Sequence, residues 1–137
     1  MNTLKQLVRI ERLSEIIEEE VVVSLRGREL TCFASMAPYK LTVGKDYPAR
    51  FSLVVFDEYR VENAGDASES ITSSMAGDYS HEVVGRLVEG HLCACGFVFE
   101  NSALESEYAY LDGNMVSMGV DRIDVEFLRG CFFGQIV

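Results

Sequence analysis

The chain has no run of apolar residues long enough to cross a membrane as a helix. A span needs about 18 or more, and the most continuous stretch, FSLVVF at 51–56, is far shorter. The opening MNTLKQLVRIERLSEI has neither the uninterrupted apolar centre nor the small-residue cleavage site of an export signal. In a chain without such a signal, the four cysteines (Cys32, Cys93, Cys95 and Cys131) read as reduced thiols, and the expected location is cytoplasmic.

Catalytic and cofactor signatures are also missing. There is no GxSxG elbow, no Gly-rich phosphate loop, no HExxH, no EF-hand spacing and no CxxC knuckle. Histidine occurs only twice, at His81 and His91. The expectation is therefore a protein that is not an enzyme and carries no cofactor.

Basic side chains are scarce: 12 Lys and Arg against 22 Asp and Glu, a net charge of −10. Such a charge disfavours non-specific contact with nucleic acid or anionic lipid. Its distribution is uneven. Residues 1–56 are close to neutral at +1, residues 57–112 carry −10, and residues 113–137 carry −1.

What is present is β-pattern. At 79–100, YSHEVVGRLVEGHLCACGFVFE gives two apolar runs joined at Glu89 and Gly90, the signal of a hairpin between two long antiparallel strands. Gly85 and Gly96 within it mark sharp bends or close backbone approaches. Residues 3–17 fit a long, irregular first strand, and Glu18 to Glu20 a solvated turn. A hairpin follows across Arg26, Gly27 and Arg28, ending at Ala37 and Pro38. Lys45 to Pro48 reads as a turn. Residues 51–56 read as a strand buried on both faces.

At 63–78, NAGDASESITSSMAGD has no periodicity and is expected to form a mobile polar loop. Residues 108–111 read as a short strand, and Asp112 with Gly113 as a hairpin turn. In the last segment Val116, Met118 and Val120 share one parity, whereas Ile123, Val125 and Phe127 share the other. The inserted residue places a bulge near Asp121 and Arg122.

Together these features predict an all-β chain: one domain over 1–137, a small, partly open antiparallel β-barrel of the oligonucleotide/oligosaccharide-binding (OB) type, with a β-sandwich as the alternative.

Five constellations bear on function. His91, Cys93 and Cys95 form HxCxC, with side chains suited to zinc, so they are weak metal candidates. On one extended strand, however, residues two apart are separated by roughly 6.6–6.8 Å at Cα, too spread for three to converge on one ion, and buried core thiols are the more ordinary role. His81 and His91 would face each other across the hairpin as a polar pair. Residues 26–51 interleave cations and rings, including Arg28, Tyr39, Lys40 and Arg50, the pattern by which small barrels hold single-stranded nucleic acid. The acidic stretch, with Asp57 and Glu58, offers a docking face for a basic protein. Arg122, between Asp121 and Asp124 at the bulge, reads first as a local ion pair, with an exposed interaction point as the functional alternative. The favoured expectation is a non-enzymatic protein-interaction module that binds a basic partner or itself as a homo-oligomer, away from membranes. Single-stranded nucleic-acid binding through residues 26–51 is the alternative.

Overall fold

The computed structural model describes residues 5–73 and 79–129. The chain is nearly all-β. Among the described residues, eleven strands follow in order: β1 (Gln6–Leu13), β2 (Glu20–Leu25), β3 (Arg28–Met36), β4 (Asp46–Val54), β5 (Arg60–Asn63), β6 (Ser70–Ser73), β7 (His81–Val88), β8 (His91–Ala94), β9 (Phe97–Glu100), β10 (Met115–Val120) and β11 (Arg122–Phe127). A single helical turn, α1 (Ser102–Glu105), and a 3-10 turn at Ala109–Leu111 lie between β9 and β10. No described helix is long and apolar enough to cross a membrane. The contacts gather into two compact units, one made of Met1–Arg50 with Asp124–Val137, the other of Phe51–Ile123.

In the first unit, β1 pairs antiparallel with both β2 and β4, and β2 pairs antiparallel with β3. β3 runs parallel to β11, which neighbours β4. Pairing therefore returns to β1 after five strands. Alternation sets the core: Val8, Ile10, Val21, Val23, Leu30, Cys32, Ala49, Val125 and Phe127 are buried. The β2–β3 turn falls at Arg26 and Gly27, both at positive φ (53° and 84°), as a two-residue hairpin requires. β3 ends at Met36, just before Ala37 and Pro38. The turn expected at residues 45–48 is instead the start of β4. Proline cannot donate there, but the Pro48 carbonyl accepts from Leu128 N (3.0 Å), so the ladder holds.

In the second unit, β7 is central. It pairs with β8, β10 and β6, while β5 flanks β10. β9 joins β8 antiparallel and runs parallel to β4 through Phe51 and Phe99. The sheet is thus mixed rather than antiparallel. The rings of Phe51, Phe97 and Phe99 meet at 5.3–6.1 Å and fill the core with Leu87, Leu92, Leu104 and Met118.

Several expectations are corrected here. The 79–100 stretch makes three strands, because Cys95 (φ 54°) and Gly96 (φ 90°) form a second tight turn beyond Glu89 and Gly90. Residues 51–56 alternate, with Ser52 and Phe56 exposed, because a chain paired on both edges still has one face in water. Within the expected 63–78 loop, residues 70–73 pair with β7 as β6, and 74–78 lie outside the described residues. Residues 109–111 turn as a 3-10 helix instead of extending. The parity change near Asp121 is present as the break between β10 and β11. Gly85 is a close approach: a Cβ there would meet the Cys93 carbonyl and lie 2.9 Å from Ala94 Cβ.

Candidate functional site

The residues singled out for interaction fall in both units. Arg28 is exposed at the start of β3, and Lys40 is exposed in the segment after it. Arg50 is half-buried on β4. Tyr39 is half-buried: its ring stacks on Tyr47 at 5.4 Å and its hydroxyl donates to Leu128 O at 2.6 Å. Tyr47 in turn meets Phe127 edge-on, and its hydroxyl accepts from Thr42 N. Phe51, counted with the same stretch, is fully buried in the second unit. Tyr39, Tyr47 and Phe51 are therefore spent on packing. Nearby cations are held too: Arg9 donates twice to Gly44 O, and Arg12 pairs with Glu29 at 3.1 Å.

The metal candidates do not converge. His91 and Cys93 share the half-buried face of β8, but Cys95 belongs to the following turn, where its N–H donates to Glu69 Oε1. Among the described residues, no three His, Cys, Asp or Glu side chains gather as metal ligands do. Cys131 lies outside the described residues. Partial burial, with Glu69 nearby, raises the Cys93 thiol above its ordinary value. The histidines do not face each other. His91 is registered opposite Val88, whereas His81 stands opposite Ser73 and Val120. Each Nδ1 lies against a nearby carbonyl, Tyr79 O for His81 and Glu89 O for His91.

The charge division is sharper by unit than by sequence thirds. The first unit holds nine basic and nine acidic side chains. The second holds three basic against thirteen acidic, so the whole net charge of −10 lies there. Its three arginines are applied to their own unit. Arg86 donates to Gly113 O at 2.7 Å, Arg122 lies 5.5 Å over the exposed Phe56 ring, and Arg60 lies across Gly119. Some carboxylates cap backbone, as Asp121 does at Phe56 N and Asp112 at Gly90 N. Asp57, Glu58, Glu62, Glu89, Glu105 and Glu107 are exposed, and none has an ion pair among the described residues.

The most structured part of this acidic surface is the α1 segment, which sequence reasoning missed. Asn101 caps α1, its Oδ1 accepting from Ala103 N and Leu104 N. Its Nδ2 donates to Leu53 O (2.8 Å) and Tyr59 OH (3.2 Å), tying the turn to β4 and to Tyr59. Gly90, at φ 83°, seats the other side: a Cβ there would stand 2.7 Å from Glu105 Cγ. The anchored segment carries a tyrosine ladder, Tyr59 to Tyr108 at 6.2 Å and Tyr108 to Tyr110 at 6.4 Å. Tyr110 is 75% exposed. Beside the ladder is a pocket of about 430 Å³ whose lining includes Tyr59, Glu100, Asn101 and Glu105. An Asn followed by Ser-Ala-Leu-Glu is a helix-start signal; reading 108–111 as a strand hid its consequence.

These features define a nearly all-β protein with a neutral unit and an acidic one. Residues 4–128 match the family described as uncharacterised conserved protein UCP019853, and the chain belongs to that family. No curated protein and no solved structure matches it.

Proposed function

We propose that this protein is a non-enzymatic interaction module whose acidic unit docks a basic protein. The observation that carries the reading is the confinement of the entire net charge to the second unit, with its three arginines turned onto their own unit. A one-sign surface of this kind steers an oppositely charged partner and penalises wrong ones. The free thiols of Cys32, Cys93 and Cys95 support a reducing, cytosolic setting. The test is capture from native lysate followed by titration of the purified partner at low and physiological salt. A basic partner whose affinity falls with salt, and falls again when Asp57 and Glu58 are neutralised, supports the reading. Nucleic acid as the captured species, removed by nuclease, overturns it.

A second reading, single-stranded nucleic-acid binding by the first unit, has one observation in its favour. The pairing order β1-β2-β3-β11-β4-β1, with β3 and β11 parallel, supports a small OB-like barrel. Against it stand the packed Tyr39 and Tyr47 rings and the neutral charge of that unit. Charge reversal at Arg28 and Lys40 abolishes oligonucleotide binding under this reading and leaves protein docking unchanged under the first.

A further inference from the structure

Resting on the acidic-docking reading, we propose that the tyrosine ladder and its adjoining pocket form the slot that takes an arginine side chain of the basic partner. The geometry matches that chemistry in three respects. A guanidinium stacks on an aromatic face within about 6 Å of the ring centre, and Tyr59, the ring of the ladder that lines the pocket, offers such a face. A guanidinium also donates in a fixed fork to a carboxylate, and Glu105 reaches the same pocket that Tyr59 lines. Glu105 is exposed, makes no ion pair among the described residues, and is held at its base against Gly90. Finally, the pocket, at about 430 Å³, lies wholly within the unit that carries the −10 charge, so an incoming cation is attracted before contact.

The slot is also rigid in a way that favours selective binding. Asn101 fixes the start of α1, the Leu53 carbonyl and the Tyr59 hydroxyl with a single side chain. Asp112 accepts from Gly90 N, so the β7–β8 turn and the end of the 3-10 turn are joined. The backbone that carries Tyr59 and Glu105 therefore needs no ordering when the ligand arrives, which spares binding that entropy.

The probe is an oligo-arginine peptide, with oligo-lysine of equal length as comparison, titrated into the full chain at low salt and followed by tyrosine fluorescence. Arginine peptide is expected to bind several-fold more tightly than lysine, because only the planar cation both stacks and forks. Tyr59→Leu is expected to weaken arginine peptide roughly three- to tenfold through loss of the ring face, and Glu105→Gln roughly two- to fivefold. Glu62→Gln, which removes the same charge from β5 in the same unit, is the control and is expected to change affinity by less than about twofold. If arginine peptide binds but Tyr59→Leu and Glu105→Gln weaken it no more than Glu62→Gln does, the slot is wrong and the acidic-docking reading survives. If neither peptide binds, both fall. Circular dichroism of each variant confirms that the fold is retained.

Discussion

Two glycines show how differently one methyl group acts in this chain. At Gly85 an added Cβ meets backbone, the Cys93 carbonyl of the neighbouring strand, and also Ala94 Cβ at 2.9 Å. A ladder partner has no room to yield, so Gly85→Ala is expected to cost about 3 kcal/mol or more in denaturant unfolding. At Gly119 the obstacle is the tip of Arg60, a flexible chain that swings into solvent. Gly119→Ala is expected to change stability by less than about 1 kcal/mol in the same measurement. Cys32 is a different case. Burial, with a further contribution from Asp124, raises its thiol far above the ordinary value near 9. Below pH 9 the thiol is protonated in the folded and unfolded chains alike. Above it the unfolded chain releases the proton and the folded chain retains it, so stability falls as pH rises, by up to about 1.4 kcal/mol per pH unit. Denaturation at pH 8 and pH 10 is expected to show a smaller loss for Cys32→Ala than for the natural protein.

At the level of elements, three tight turns share one design, a non-glycine residue at positive φ followed by glycine: Arg26 with Gly27, Glu89 with Gly90, and Cys95 with Gly96. Asparagine tolerates that first position better than arginine does. Arg26→Asn is therefore expected to stabilise by roughly 0.5–1 kcal/mol, read as a rise in the unfolding midpoint. Asn101→Ala is expected to cost about 2 kcal/mol, since one truncation removes the α1 cap and the bond to Leu53 O. These elements also show what the sequence made legible. The β2–β3 hairpin and the parity change at Asp121 were readable because each is a local event in a period-two pattern. The turn at Cys95 and Gly96 was not, because apolar residues continue on both sides and nothing polar punctuates the run. The residues at 108–111 were misread because both tyrosines suit strands, whereas backbone turns continue from α1, Ala109 N donating to Ser106 O and Leu111 N to Tyr108 O, and keep the chain coiled.

For the whole molecule, charge acts in two opposed directions. Salt screens attraction to a basic partner, and it equally screens the self-repulsion of a unit with thirteen acidic and three basic side chains. Raising ionic strength is thus expected to weaken partner association while strengthening folding, the former followed by titration and the latter by the urea midpoint. The acidic character of the candidate site was plain in the sequence, as the deficit over 57–112. Its tyrosine ladder was not, since Tyr59 and Tyr108 are brought together only by tertiary pairing. Nor was the division into units, because its boundaries fall inside β4 and β11, where no composition shift marks them. That division has a consequence for the order of folding. The acidic unit is one unbroken stretch of the chain, whereas the other takes its last strand from beyond it, at residues 124–127. The first unit can therefore close only by joining segments separated by the whole of the acidic unit, and contacts of such long sequence separation form slowly until the intervening stretch has itself become compact.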